Sequence, residues 1–153
     1  MEEWEEWEPS DDDAAGGICF FPRLQTFPLE RCPRLKGRLP SNLPSLKDLV
    51  IKDCSSLIEL NGYARHRQLV DLQITECGPH LANSFFVNIK PEMFPYLQRL
   101  EIGDCDSFES FPAKDSLPTS LASLEIQRFT QLKKLDVIWL QRLINLEELV
   151  IVS

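Results

Sequence analysis

A twelve-residue hydrophobic frame that recurs along the chain constrains the fold more than any other feature of this sequence. From Leu46 to Leu57 the frame has the pattern L-x-x-L-x-I-x-x-C-x-x-L. Its first leucine returns in steps of 22, 23, 28, 24 and 25 residues, in copies that begin at Leu24, Leu46, Leu69, Leu97, Leu121 and Leu146. A frame that recurs at this interval indicates that one structural unit is used several times.

The alternation inside each copy predicts a short β-strand. In the clearest copy, Leu49 and Ile51 would point to one face, whereas Asp48, Val50 and Lys52 would point to the other. A strand this short cannot cover its own apolar face, but the next copy alongside covers it and pairs the backbone into a parallel ladder. We therefore predict an α/β solenoid, a leucine-rich repeat horseshoe with a parallel β-sheet on the concave face and loops or short helical turns on the convex face.

The sequence divides into two predicted regions. Residues 1–19 form an acidic, tryptophan-containing N-terminal segment, either a loop or a partial repeat, and residues 20–153 form a leucine-rich repeat domain of about six repeats. Trp4 and Trp7 are expected to pack onto the first repeat or to belong to the remnant of a preceding one. Because solenoids normally end in a polar capping element, which is not seen after the last predicted strand, we expect an uncapped C-terminus from a fragment or a truncated gene.

Two connections between predicted strands differ from the others. The connection after the fifth strand has the most helical pattern, since Leu132, Leu135 and Trp139 are spaced by three and four residues, and Trp139 is expected in the core. The longest step contains an insertion, in which Phe85 and Phe86 are expected to fill a wider convex side.

The charge distribution argues against nucleic acid and membrane partners. The formal net charge of −8 comes from eight acidic residues before residue 14, and the remaining acidic residues balance the 16 Lys and Arg. The body of the chain has no basic stripe that could follow a phosphate backbone. No apolar run reaches the roughly 18 residues that span a bilayer, and the acidic N-terminus does not resemble a signal peptide.

Four of the five cysteines, Cys32, Cys54, Cys77 and Cys105, occupy the same position of the repeat. This regularity predicts a ladder of buried, reduced thiols, which a reducing compartment would preserve. A row of single cysteines is a line and not a tetrahedron, and the sequence has no C-x-x-C pair, so no metal site is expected.

No residue pattern in the sequence points to an enzyme. Aspartates flank two of the ladder cysteines, but a buried, repeat-phased cysteine is a poor nucleophile. His66 and His80 are expected to be ordinary surface or loop histidines. The phosphate-loop pattern G-x-x-x-x-G-K-[ST] does not occur, so we predict no catalytic residue and no cofactor.

Four segments of the sequence carry a family resemblance, and these are F-P-R-L-Q at 21–25, E-R-C-P-R-L-K-G-R-L-P at 30–40, L-P-S-L at 43–46 and I-K-D-C at 51–54. They resemble the C-terminal leucine-rich repeat region of plant intracellular nucleotide-binding disease resistance proteins. The opening M-E-E-W-E-E-W resembles a segment before an F-P-x-L repeat in the coiled-coil type of those receptors. The resemblance implies a cytoplasmic recognition and autoinhibition module in defence, whose partner is a pathogen effector, a guarded host protein or the nucleotide-binding domain of the parent receptor.

The sheet face opposite the leucines is the candidate binding surface. Its mixed charge suits a protein partner better than a polyanion. The predicted contact residues are Thr26, Glu30, Asp48, Val50, Lys52, Asp71, Gln73, Thr75, Arg99, Glu101, Ser123, Glu125, Gln127 and Glu148.

The alternative is a fragment of another leucine-rich repeat protein. G-R-L-P at 37–40 is similar to an element of plant extracellular receptor ectodomains, but it occurs once, and the sequence has no N-x-S/T glycosylation sequon. A ubiquitin-ligase substrate adaptor would need an additional ligase-binding domain.

Overall fold

A parallel β-sheet is the main feature of the computed structural model. The structure describes residues 3–6, 21–37, 39–40, 42–58, 60, 66–104, 109–111 and 116–153. The strands within these ranges are β1 (Thr26–Glu30), β2 (Asp48–Lys52), β3 (Asp71–Thr75), β4 (Arg99–Gly103), β5 (Ser110–Phe111), β6 (Ser123–Gln127), β7 (Lys134–Leu135) and β8 (Glu148–Val152). Six of them form the main sheet in the order β1-β2-β3-β4-β6-β8, and the two-residue strands β5 and β7 pair separately. With the helices that connect them, the strands make an α/β fold, as predicted.

Neighbouring strands of the main sheet pair without stagger. Leu49 of β2 lies beside Leu72 of β3, and Ile51 lies beside Ile74. The same register continues across β4 and β6, although the connection between β3 and β4 is the longest. The inward side chains therefore form a leucine row and an isoleucine row, each member at most 1% exposed: Leu49, Leu72, Leu100 and Leu124, and Ile51, Ile74, Ile102 and Ile126.

Each strand depends on its neighbours for this burial. Full burial of one such side chain contributes about 1.5–3 kcal/mol. At the β8 edge of the described sheet, Leu149 and Ile151 hold the same two positions but are 44% and 46% exposed, because a strand covers them on one side only. At the other edge, β1 carries an exposed Pro28, which has no N–H to donate and is tolerated there.

A tight turn leads into each strand of the main sheet. In the second copy of the frame, the N–H of Leu46 donates to the carbonyl of Leu43 over 3.1 Å. In the other copies the first leucine of the frame donates in the same way to the residue three positions earlier, which is Phe21, His66, Phe94, Pro118 or Leu143.

A single residue in the left-handed backbone region follows five of the strands. These residues are Arg31, Asp53, Glu76, Asp104 and Arg128, with φ between 49° and 63°. Since none is glycine, each has a Cβ close to the following carbonyl, at a cost of roughly 1–2 kcal/mol. The sharp bend turns the chain away from the sheet, and in the first three copies the next residue is a buried cysteine.

The longest helix does not occur in the connection that was predicted to be the most helical. The longest helix of the described chain is α1 (Pro79–Asn88), which follows β3, whereas α2 (Val137–Leu140) has four residues. The prediction that residues 132–143 are the most helical connection was therefore wrong, because Lys134 and Leu135 are drawn into β7 instead. The expectation of only loops and short helical turns was also too narrow. Within the described ranges, no helix has the length and apolar composition needed to cross a bilayer.

Aromatic side chains fill the wider interior beneath α1. Phe85 and Phe86 are buried on one side of this helix, as expected for the insertion. The Phe86 ring meets Phe111 of β5 edge-to-face, with centroids 5.1 Å apart, and Phe111 meets Phe129 at 5.4 Å. Phe129 takes the position that cysteine holds in earlier copies, where the larger ring occupies this wider space.

The N-terminal residues that the structure describes lie beside the first copy. The N–H of Lys36 donates to the carbonyl of Glu5 over 2.7 Å, and Glu6 forms an isolated parallel bridge with Lys36. Trp4 packs against the core, as expected, whereas Trp7 lies outside the described residues. The boundary between residues 19 and 20 also lies outside them and stays a prediction.

The expectation for His66 was wrong, because this histidine is buried. It holds the core position that Leu43 and Phe94 hold in adjacent copies, and its Nδ1 lies 3.3 Å from the Leu43 carbonyl oxygen. The carbonyl can only accept, so Nδ1 donates. Burial lowers the pKa of His66, although the carbonyl contact acts in the opposite direction. His80, on α1, is exposed, as expected.

We expect Glu76→Gly to stabilise the protein by about 0.5–1 kcal/mol relative to Lys52→Gly, because only position 76 has a left-handed backbone. The two residues are partners in one exposed ion pair of 3.6 Å, so both variants lose the same interaction. Urea denaturation of the two variants measures the difference. Equal midpoints would contradict the strain assigned to position 76.

We expect His66→Leu to remove a pH-dependent part of the stability. The unfolded chain takes up a proton near its pKa of about 6.5, whereas the buried side chain resists protonation, so the wild type loses stability as the pH falls below about 6.5. Urea denaturation at about pH 7.5 and about pH 5 should show a smaller loss for His66→Leu than for the matched variant His80→Leu. Equal losses in the two variants would contradict this assignment.

Candidate functional site

All fourteen predicted contact residues lie on strands of the main sheet, at the first, third or fifth position. The intervening positions hold the buried leucines and isoleucines, so the fourteen share the opposite face, here called the polar face. The register aligns them in three rows: Thr26, Asp48, Asp71, Arg99, Ser123 and Glu148; Val50, Gln73, Glu101 and Glu125; and Glu30, Lys52, Thr75 and Gln127. That they bind a partner stays a prediction.

The rows also contain residues that the sequence reasoning did not select. Pro28 and Val150 hold the third position of β1 and β8, and Gly103 and Val152 hold the fifth position of β4 and β8. Their period-two positions in the frame were the signal that could have found them. In contrast, Thr75 is buried and offers little surface.

Carboxylates outnumber cations on the polar face. Six of the fourteen residues are Asp or Glu, and the cations are Lys52 and Arg99. The Nζ of Lys52 lies 3.6 Å from Glu76, which is outside the face. Arg99 is shared between Asp71 at 4.0 Å and Glu101 at 3.5 Å. The face therefore carries excess negative charge, although its sequence reads as mixed.

The excess of negative charge is greatest where Glu101 and Glu125 lie directly side by side on β4 and β6. The Nε2 of Gln127 donates to both, over 3.2 Å to Glu101 and 2.7 Å to Glu125. The Glu101 side chain is only 16% exposed. Burial, together with the adjacent Glu125 carboxylate, raises the pKa of Glu101, and Arg99 offsets part of this effect.

Hydrogen bonds between side chains also fix the orientation of residues elsewhere on the polar face. Thr26 Oγ1 donates to Asp48 over 3.2 Å, and Ser123 Oγ donates to Glu148 over 2.8 Å. Within β3, Gln73 Nε2 donates to Asp71 over 3.2 Å. Because these contacts restrict side-chain rotation in the unbound protein, less entropy remains to be lost on binding.

Three thiols lie behind the strand ends. Cys32, Cys54 and Cys77 are buried and unpaired by disulfides, as predicted, whereas Cys105 lies outside the described residues. Cys54 Sγ lies 3.6 Å from the carbonyl oxygen of Leu29 on the preceding strand. Cys77 makes the same contact with Ile51 over 3.4 Å.

The environment of Cys32 and Cys77 disfavours the thiolate, whereas the hydrogen bond with Cys77 lowers the pKa of Cys54 to about 7, although burial acts in the opposite direction. Burial raises the pKa of Cys32. A hydrogen bond with Cys54, followed by burial, raises the pKa of Cys77. In the ranges that the structure covers, no group of three or more His, Cys, Asp or Glu side chains is arranged to hold a metal ion.

The chain is similar to parts of two plant proteins named as disease resistance proteins. It is 32% identical over 106 residues to At3g14460 of Arabidopsis thaliana, and 29% identical over 136 residues to RF9 of the same plant. The matches cover 69% and 88% of this chain but only 7% and 12% of the two relatives. No protein-family model matches the chain, and no solved structure matches it significantly.

We expect Cys32, Cys54 and Cys77 to react with iodoacetamide roughly tenfold or more slowly in the folded protein than in concentrated urea, because each must first be exposed by local opening. Peptide mass mapping over time measures the three rates separately. A fast-reacting thiol among the three in the folded state would contradict the ladder and favour a nucleophilic role.

Proposed function

We propose that this chain is the leucine-rich repeat recognition module of a plant disease resistance protein of the coiled-coil type, and that the polar face of its sheet binds a protein partner in the cytoplasm. The observation that carries the proposal is the in-register pairing of six strands, with one face forming the core and the other made of aligned polar rows. Similarity to the two Arabidopsis proteins supports the defence role.

The repeated local geometry supports assignment to the leucine-rich repeat solenoids. Each copy contains the tight turn at its first leucine, a five-residue strand and, in five copies, the left-handed residue after the strand. Similar units stacked in one direction form an extended array, and curvature of such an array would make the strand face concave. The polar face would then be the inner surface of a horseshoe.

Recognition would rest on many simultaneous contacts. Neighbouring strands are about 4.8 Å apart, so a partner that lies across the sheet meets a new side chain from each row at that interval. The partner would be a pathogen effector, a guarded host protein or the nucleotide-binding domain of the parent receptor. The proposal assigns no catalytic step and no cofactor to this chain.

A matched pair of substitutions tests whether the polar face binds a partner. Gln73→Trp places a bulky neutral side chain in the middle row, whereas Gln131→Trp makes the same change at an exposed turn outside the sheet. In leaf cells expressing the chain fused to a cytosolic proximity-labelling enzyme, we expect Gln73→Trp to reduce labelling of enriched proteins about tenfold, which corresponds to about 1.4 kcal/mol.

Thermal unfolding of both variants verifies that the fold is retained. We expect Gln131→Trp to label the same proteins as the wild type. Equal labelling by both variants, or labelling no greater than that of the unfused enzyme, would contradict the proposed function.

A further inference from the structure

An open groove of about 610 Å³ adjoins the polar face at the turns that lead into β4, β6 and β8. Tyr96 and Ile144 line it and are 58% and 83% exposed. Large apolar side chains that converge on one exposed concavity mark a contact site more strongly than scattered ones do. The groove therefore offers a large apolar contact beside the polar face.

Hydrogen bonds fix the walls of this groove. Asn145 Nδ2 donates to the carbonyl of Thr119 over 2.9 Å, which ties the turn before β8 to the turn before β6. Ser120 Oγ donates to the carbonyl of Leu97 over 2.7 Å, which ties that turn to the one before β4. The groove is thus formed in the unbound protein, so an apolar side chain can enter it without a large rearrangement.

The charge around the groove is negative. Glu147 lines it, and Glu148 follows on β8. Glu101 and Glu125, further along β4 and β6, lie side by side. The nearest cation of the polar face, Arg99, already contacts both Asp71 and Glu101. A positive group from a partner would relieve the repulsion between these carboxylates.

We infer that the partner presents an extended basic segment, in which one large apolar side chain enters the groove between Tyr96 and Ile144 while a Lys or Arg reaches Glu101 and Glu125. The inference rests on the proposed function and adds the chemistry of the partner. Charge complementarity supports a basic segment over an acidic one.

The spacing of the two contacts follows from the strand geometry. Ala122 lines the groove, and Glu125 lies three residues further along β6, which is about 10 Å at about 3.3 Å per residue. An extended partner has nearly the same rise per residue. Because side chains of an extended chain alternate between its two faces, the basic residue lies two positions from the apolar residue, in either chain direction, and its long side chain spans the remaining distance.

The probe is a fluorescein-labelled peptide with the core R-S-L-S-R, which presents the spacing in both directions. Peptides with Leu replaced by Ser, or with both Arg replaced by Glu, are the comparisons. Fluorescence anisotropy with the full chain should give a Kd at least about fivefold lower for the basic Leu peptide than for either comparison, and added salt should weaken its binding.

Matched protein variants locate the two contacts. The double variant Glu101→Gln, Glu125→Gln should weaken binding about fivefold, whereas Glu92→Gln, Glu109→Gln removes the same charge outside the polar face and should have no effect. Ile144→Ser should weaken binding by a similar factor, and Val87→Ser, at an exposed position of α1, should not. Thermal unfolding verifies the fold of each variant.

Undetectable binding of the basic peptide, or equal binding of the acidic one, would overturn the inference. Equal effects of the matched variants would overturn it as well.

If the acidic peptide binds and Gln73→Trp abolishes its binding, the polar face still recognises protein, and only the basic character inferred for the partner is wrong. If cellular labelling is also insensitive to Gln73→Trp, the proposed function fails with it.

Discussion

The whole structure depends on the stacking of two apolar side chains from each strand of the main sheet, a leucine and an isoleucine in every strand but β1, on the corresponding pair of the next strand. In the four inner strands these side chains are at most 1% exposed because a strand covers them on both sides. The loss of cover at Leu149 and Ile151 shows how directly burial follows from stacking. Since side chains alternate between the faces of a strand, burial of one face also determines which residues form the polar face.

The register survives large differences between the connections. The step that contains α1 is the longest, yet Leu72 still lies beside Leu100. Aromatic contacts beneath α1, including the pair of Phe86 and Phe111, absorb the additional volume. The strained left-handed residues end five of the strands at the same point, and burial of the rows offsets their cost. The polar rows therefore remain aligned whatever lies behind them.

Alignment gives the polar face properties that its separate residues do not have. Glu101 and Glu125 belong to different copies of the frame, but the register places them side by side, where Gln127 bridges them. A half-buried pair of carboxylates is poised to accept a cation. The nearby groove arises in the same way, because the turns that carry Tyr96 and Ile144 are brought together by stacking of the strands that follow them.

The sequence by itself determined the six strands of the main sheet, the buried rows and most of the polar face, because period-two alternation is visible within each copy and the repeat interval is visible along the chain. It also placed the ladder cysteines that the structure describes. Only the tertiary structure decided the length of α1, the burial of His66 and Thr75, and the pairing of Glu101 with Glu125. These features depend on contacts between residues of different copies, far apart along the chain, and such contacts override local pattern and propensity.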